Sequence, residues 1–445
     1  MSRCQTCVRE RDRTVTRNVP ARRPFRRLRR GPPRRAWPVP VSDTVARASR
    51  IPNGKRGSRM RFAEALSRPG LAAIAEFKRR SPSVGDIRSD ARVEEVVPAY
   101  AASGAAAISV LVDERFGGSL DDLRAARAAT DVPLLAKGFF EEEAQLAELR
   151  RAGADAALLI LRNLDDATCA RLMRTAEELG LDTLVEAHDD DELERAIELR
   201  APIVGLNARD LSTFHVDRTG QLNLVARAAR RGDHLVIAES AIATRAQGAA
   251  AELAGADAIL VGTALMQAPD PAAKLRELLS RPLVKVCGMT NQEDVDAALA
   301  AGADLVGFVF VEGSPRRAEA VLDVPDTALS VAVFVGEPED AGADLVQLYE
   351  AEPGTVRGRN ATLLREGERV ATVVDLPWER EDPAHLERAA AVEDRLVLAG
   401  RLGPDNVAEA VARVRPWAVD AASRLEREPG RKDHELVRAF VEAAR

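Results

Sequence analysis

From about residue 71 onward the chain repeats one rhythm: a short run of apolar, often β-branched residues, then a stretch rich in Ala, Leu, Glu and Arg with apolar positions three and four apart. The first pattern predicts a strand buried on both faces, and the second predicts an amphipathic helix. Their strict alternation predicts a parallel sheet joined by crossover helices. Between residues 71 and 262 eight such runs occur: LAAIAEF, AAISVL, VPLLA, AALLIL, LDTLVEA, APIVGLN, HLVIAES and DAILVG. Eight units in about 220 residues is the length and order of a (β/α)8, or TIM, barrel. A doubly wound open sheet gives no reason for eight regular units, and the Gly-rich first turn that usually marks it is missing. The tetrapeptide Ala-Gly-Ala-Asp recurs at 152–155, 254–257, 301–304 and 341–344, each time before an apolar run. This predicts that glycine ends one helix and the next strand follows.

After Leu279-Ser280-Arg281-Pro282 the rhythm restarts with LVKVCGMT. Residues 283–445 number 163, short for a complete barrel of about 200 or more residues. A second barrel is therefore expected in shortened form, with trimmed or missing helices between about residues 336 and 395 and no recognisable fifth strand. The expected fold class is α/β: two tandem barrels, at 60–281 and 283–445, preceded by an arm at 1–59.

Charge separates that arm from the rest. The net charge is −6, yet residues 1–40 hold 13 Arg against Glu10 and Asp12 alone. Arg mixed with Pro, without an apolar period, cannot bury enough surface to offset its ordering entropy, so a disordered arm is expected. Arg clusters with Phe25 and Trp37 suit RNA phosphates and bases. No RNA-binding module accompanies them, so a passive tail or a non-native extension before Met60 is the preferred reading and nucleic acid is not the expected partner. Cys4-x-x-Cys7 is half of a zinc site without its second half, and the five His are scattered without ligand spacing, so no metal is expected. The acidic run Asp189–Glu192 reads as a solvated helix N-terminus. Cys169 and Cys287 stand isolated, which suggests no disulfide framework. No apolar run reaches the roughly 18 residues of a membrane span, and a cytoplasmic protein is expected.

In a barrel, polar residues at the C-terminal ends of strands build the active site. Here those ends carry Glu76 and Lys78, Lys137, Glu186, Asn207 and Arg209, Glu239-Ser240, and Gly262-Thr263. Any one alone reads as a cap or a rim ion pair; their coincidence at one rim points to catalysis. Lysines and carboxylates crowded in one mouth push each other's pKa values apart and supply a general acid and a general base. The Gly262-Thr263 turn before a helix, with Ser240, is where barrels hold phosphate on backbone N–H groups, so a phosphorylated small molecule is expected.

The segments IAEFKRRSPS, AISVL, LLAKGFF, LVEAH, VGLNARDL, IAES and ILVGTALM resemble the indole-3-glycerol-phosphate synthase family over about residues 60–281. That resemblance implies decarboxylating ring closure of a carboxyphenylamino-deoxyribulose 5-phosphate without metal or organic cofactor. It makes Lys137 the general acid at the ketose carbonyl and Glu186 the base for dehydration. Lys78 would pair with the substrate carboxylate, with Glu76 and Asn207 orienting these groups. Ser81, Phe139, Arg209, Ser240, Gly262 and Thr263 complete the implied substrate-binding set. Two departures stand out: Gly138 replaces the family's Asp after the lysine, and Ala241 replaces the Gly of its Ser-Gly-Ile loop.

In the second half, KVCGMT, DLVGFVF, Gly313-Ser314-Pro315-Arg316, DLVQLY, VVD, VLAGRLGPDNV and PGRKD resemble phosphoribosylanthranilate isomerase, whose product the first domain would consume. A thiol at a strand end beside a helix N-terminus sits where its pKa can fall. The resemblance implies Cys287 as general base, Asp375 as general acid and Arg316 on the anthranilate carboxylate. Gly400, Asp420 and Ser423 fall on the last two strand ends, near the implied phosphate cradle. Tyr349 replaces the family's His. With the short length, this leaves open a monofunctional synthase carrying a degenerate second barrel. Oligomeric state is not legible in the sequence.

Overall fold

The computed structural model describes residues 61–81, 84–209, 215–350, 360–376 and 382–445. The expectations for residues 1–59 (disorder, RNA association, the Cys4/Cys7 pair) lie outside them.

The first barrel is entered through α1 (Arg61–Leu66). Its strands are β1 (Ala72–Phe77), β2 (Ala107–Leu111), β3 (Leu134–Lys137), β4 (Ala156–Ile160), β5 (Asp182–Ala187), β6 (Ile203–Asn207), β7 (Leu235–Glu239) and β8 (Ala258–Val261). Each pairs in parallel with its chain neighbours, and β8 closes on β1 through Ala72↔Ala258 to Ala75↔Val261. Around the ring lie α2 (Val93–Ala102), α3 (Leu120–Ala129), α4 (Glu143–Ala152), α5 (Asp166–Leu179), α6 (Asp190–Glu198), α7 (Arg218–Arg231), α8 (Arg245–Ala254), α9 (Thr263–Gln267) and α10 (Pro271–Leu279). The strands are almost wholly buried because helices cover one face and the barrel interior the other. Helix α5 shows the local logic. Asp165 caps it by accepting from the Thr168 N–H, Cys169, Leu172 and Ala176 form its buried face, and Gly180 ends it at φ 70°. Truncating Leu172 to Ala would cost about 2–5 kcal/mol.

The second barrel comprises β9 (Leu283–Cys287), β10 (Leu305–Val309), β11 (Leu329–Val335), β12 (Leu345–Tyr349), β13 (Asn360–Arg365), β14 (Glu368–Val374), β15 (Leu396–Leu398) and β16 (Ala418–Ala421), again closed in chain order. Its helices are α11 (Gln292–Ala301), α12 (His385–Ala390), α13 (Val407–Val414) and α14 (His434–Ala444). The fifth strand exists, and it runs antiparallel to both neighbours. Strands β13 and β14 form a hairpin through the turn at Glu366-Gly367, both at positive φ. An antiparallel strand needs no crossover helix, so the barrel closes in fewer residues. No helix is found among the described residues between β11 and β14.

Three Ala-Gly-Ala-Asp glycines end helices as expected: Gly153, Gly255 and Gly302, at φ 101°, 104° and 97°. The fourth, Gly342, follows no helix, a correction that reflects the missing helix before β12. What unites all four copies is the aspartate. Asp155, Asp257, Asp304 and Asp344 accept from the backbone N–H groups of Leu134, Val236, Val284 and Ser330 at 2.8–2.9 Å, joining adjacent strands at their N-terminal ends.

Helix α8 is buried along its whole length. Its Ala246, Ala249, Ala250 and Leu253 pack with Leu283, Leu305, Leu329, Leu345 and Trp417, which lie at or just before the starts of second-barrel strands. Glu252 accepts from Trp417 Nε1 at 2.9 Å and pairs with Arg281 at 2.8 Å and Arg395 at 3.3 Å; Arg245 pairs with Asp304 at 3.0 Å. The second barrel thus rests its N-terminal end on the flank of the first, and its mouth faces away from that contact. No helix among the described residues is long and apolar enough to cross a membrane.

Two candidate active sites

At the C-terminal rim of the first barrel a cavity of about 880 Å³ is lined by Glu76, Lys78, Ser81, Lys137, Phe139, Glu186, Asn207, Arg209, Ser240 and Thr263. Barrel register brings the ends to one level: Ile160 pairs with Glu186 and Asn207 with Glu239, so Glu186, Asn207 and Glu239 lie at the ends of three consecutive strands on one rim. Lys137 stands at the centre. Its Nζ lies 2.7 Å from Glu239 Oε2, 3.6 Å from Glu76 Oε1 and 3.8 Å from Glu186 Oε2. Lys78 Nζ pairs with Glu76 Oε2 at 2.6 Å.

Two cations among three buried carboxylates set the protonation states. Burial disfavours the Lys137 ammonium, but Glu239, Glu76 and Glu186 outweigh it and raise its pKa well above the ordinary lysine value. Burial would raise Glu76, yet Lys78 and Lys137 hold it low. Burial would likewise raise Glu186, and the pairing with His188 and Lys137 reverses this. Glu239 is pushed up by burial, with Glu186 adding to the rise against Lys137. The site therefore keeps low-pKa and high-pKa carboxylates side by side, the split that general acid–base work requires.

Gly262 lines the back of this site rather than the cavity: a Cβ there would collide with Glu76 Oε2 and crowd the Lys78 Cε. Its absence makes room for the ion pair. Thr263 opens the short α9 behind it. Ser240 and Ala241 take φ 70° and 53°, so the loop that the family builds with glycine holds a left-handed conformation here with an alanine. Arg209 donates its backbone N–H to Asn207 Oδ1 at 2.9 Å, fixing the Asn207 amide. At Gly138 a Cβ would come within 3.0 Å of Phe140 Cζ and 3.3 Å of Val112 Cγ2. The Phe140 ring thus fills the space beside the position where an aspartate was expected.

The second barrel holds a cavity of about 470 Å³ at its own rim, lined by Cys287, Arg316, Gln347, Tyr349, Asp375, Gly400, Asp420 and Ser423. A buried hydrogen-bonded row crosses its floor. Lys285 Nζ donates to Asp420 Oδ2 and Gln347 Oε1, both at 2.8 Å; Gln347 Nε2 reaches the Tyr349 hydroxyl at 2.9 Å; and that hydroxyl donates to Asp375 Oδ2 at 2.7 Å. Gly400 turns at φ 97°, with the Leu376 backbone where a side chain would be.

One expectation needs correction here, and two lining residues have partners within the protein. The Cys287 thiol pKa is raised rather than lowered: burial dominates, and Lys285 only partly opposes it. Arg316 is already engaged, its guanidinium gripping Glu426 through contacts of 2.8–3.0 Å. Asp420, near the end of β16, lines the cavity and is paired with Lys285 at 2.8 Å.

Sequence reasoning passed over several groups. Glu239 was visible at the rim but received no role. His188 was set aside for want of metal spacing, yet it sits between Glu186 and Glu192. Lys285 and Gln347 carried a usable signal, a polar residue inside the apolar runs LVKVC and LVQLY. Lys432, which donates to Glu426 at 2.9 Å, had no such signal. Among the described residues no group of three or more His, Cys, Asp or Glu is placed to hold a metal ion.

Comparison with known proteins places this geometry. The family model for indole-3-glycerol phosphate synthase matches residues 40–278, and that for N-(5'phosphoribosyl)anthranilate (PRA) isomerase matches residues 379–443. Indole-3-glycerol phosphate synthase 2 of Streptomyces coelicolor is 44% identical over 219 residues, covering 49% of this chain and 84% of the relative. The multifunctional tryptophan biosynthesis protein of Schizosaccharomyces pombe is 31% identical over 464 residues, covering 86% of this chain; the chain spans 61% of that relative's length. A phosphoribosyl anthranilate isomerase structure from Thermus thermophilus matches 36% of this chain and 97% of its own at 29% identity, with a TM-score of 0.30. With one family model spanning more than half its length and an isomerase model following in tandem, this chain belongs to the indole-3-glycerol phosphate synthase family.

Proposed function

We propose that the protein catalyses two consecutive steps of tryptophan biosynthesis. The second barrel isomerises N-(5-phosphoribosyl)anthranilate to 1-(2-carboxyphenylamino)-1-deoxyribulose 5-phosphate, and the first closes that product to indole-3-glycerol phosphate, releasing carbon dioxide and water. The observation that carries the reading is the convergence of Lys137 with Glu76, Glu186 and Glu239 in one cavity beside the Ser240 loop. A working division into 60–281 and 283–445 assigns one activity to each part.

In the synthase step Lys137 gives its proton to the ketose carbonyl as the aromatic carbon bonds to it. An ammonium surrounded by carboxylates stays charged, so the acid is ready at neutral pH. Carbon dioxide then leaves from the ring carbon, with Lys78 beside the departing carboxylate. Dehydration follows: Glu186, held ionised, removes a proton as hydroxide leaves with one supplied from the acid side. Ser240, Thr263 and the backbone around them bind the phosphate and fix the other end of the substrate.

In the isomerase step Asp375 protonates the furanose oxygen and the ring opens to an iminium; Cys287 then takes the C2 proton, giving an enolamine that tautomerises to the ketose. A phosphorylated small molecule is thus the substrate at both mouths, and a cytoplasmic location fits such a pathway. A second reading, a synthase with an inactive second barrel, draws on the engagement of Arg316 by Glu426 and the raised Cys287 thiol. Cys287→Ala decides between them. A large loss of isomerase activity in the whole protein supports two activities; unchanged activity in that variant removes Cys287 from the reaction and favours the second reading.

A further inference from the structure

We propose that His188 is the positioning residue of the synthase base, an imidazolium that holds the Glu186 carboxylate ionised and in place from the N-terminus of α6. The inference rests on the synthase reading above and adds to it a residue outside the set assigned to the reaction.

The sequence prepares the arrangement. Glu186 and His188 are two residues apart at the end of β5, so both side chains leave the strand on the same face. Helix α6 then starts at Asp190, capped by Asp189, which accepts from the Glu192 N–H at 2.9 Å. This turn brings Glu192 back over His188. Its carboxylate accepts the His188 backbone N–H at 2.8 Å and lies 2.9 Å from ring Nδ1. The other ring nitrogen, Nε2, is 3.2 Å from Glu186 Oε1. An imidazole with a carboxylate at each nitrogen binds both best when both nitrogens carry protons.

The surroundings are closed. The His188 side chain is 2% exposed, as is that of Glu186. The charged groups facing it are Glu186 from β5 and Glu192 from α6. Behind Glu192, Arg162 from the turn after β4 donates to it at 2.8 Å and reaches Asp189 at 3.1 Å. On the far side of Glu186 stands Lys137. Burial alone would make the ring neutral, but the two carboxylates reverse this and lift its pKa to about 9. The cation is therefore present through neutral pH and is lost only as pH rises through about 9.

The consequence for the base follows from charge. With Lys78 paired to Glu76, Lys137 is the cation that Glu239 and Glu186 share, 2.7 Å from the first and 3.8 Å from the second. His188 supplies a further cation on the side of Glu186 that Lys137 does not cover. Without it Glu186 takes up a proton at higher pH, and its Oε1 loses the contact that fixes its rotation.

The test uses the full chain and synthetic 1-(2-carboxyphenylamino)-1-deoxyribulose 5-phosphate. Profiles of kcat and KM against pH are measured for wild type, His188→Asn and Glu192→Gln, alongside thermal unfolding. The expected result for His188→Asn is a pH-independent loss of about tenfold in kcat with KM little changed, from the lost orientation of Glu186, and an acid limb moved upward by about one pH unit. Glu192→Gln, which leaves the ring in place, moves the limb in the same direction by less. Independently of turnover, the His188 ring resonance is expected to titrate near pH 9 in wild type and lower in Glu186→Gln. An unmoved acid limb in both variants, with losses that track thermal stability, would reduce His188 to a structural residue and overturn the inference while the synthase reading stands. A wild-type protein that does not close the ring overturns both.

Discussion

The Lys137 ammonium shows how much a single position depends on its neighbours. Removing it takes away the proton donor and leaves Glu76, Glu186 and Glu239 as like charges in a buried site. Lys137→Ala should lower synthase turnover by about 10²–10⁴-fold, read with the ketose intermediate as substrate; near-normal turnover would remove it from the acid role. Ala241 offers a prediction of opposite sign. At φ 53° an alanine is strained, and glycine relieves a cost of roughly 1–2 kcal/mol against its own entropic penalty of about 0.5–1 kcal/mol. Ala241→Gly should leave the melting temperature unchanged or higher and lower KM for the phosphorylated substrate; a lower melting temperature would show that the loop is not strained. In the second barrel, Tyr349→Phe removes the hydroxyl between Gln347 and Asp375. It should cut isomerase kcat by about tenfold with KM little changed, because the phenyl ring still packs but Asp375 loses the hydroxyl donor at 2.7 Å. The rim residues were legible in sequence because strand ends announce themselves by a polar residue after an apolar run. The partners Glu192, Glu426 and Lys432 were not, because what places them against the site is the tertiary path of a helix or a loop.

Element boundaries in the first barrel follow from the hydrophobic rhythm, since each strand is built on a short apolar run and most helices between them have a buried stripe. The rhythm fails between β12 and β14 for a physical reason. NATLLR and ERVATVV flank a tight turn and pair antiparallel, so no amphipathic helix separates them and the period that marks a βαβ unit is absent. The same change, together with the connections from β10 to β11 and from β11 to β12, which hold no helix among the described residues, accounts for the short second barrel. Helix α8 reads as an ordinary barrel helix in sequence, but its alanines allow close approach to the strand starts of the second barrel, and Glu252 and Arg245 supply polar partners there. Glu252→Ala leaves the Trp417 indole N–H and the two arginines without their shared acceptor. A destabilisation of about 2–4 kcal/mol is expected, measured by calorimetry on the whole chain, with isomerase activity lost before synthase activity on heating. Simultaneous loss of both activities at the wild-type temperature would contradict this role of the contact.

The two barrels carry separate mouths, so the two reactions proposed for them would be joined in one chain without a shared site. The second barrel sits on α8 by its N-terminal end, so its product must leave through a rim turned away from that contact. On the proposed two-step reading the intermediate is expected to pass through solution, its transient accumulation depending on the two rates alone. The tandem organisation was readable because the same rhythm restarts after Pro282; the orientation was not, because it depends on which helix face is bare.

The most direct test supplies N-(5-phosphoribosyl)anthranilate to the protein, follows loss of its fluorescence and separates the products by chromatography. Appearance of the ketose intermediate followed by indole-3-glycerol phosphate is the predicted result. If the starting compound is not consumed while added ketose intermediate is still converted, the second barrel is inactive and the two-step assignment is wrong.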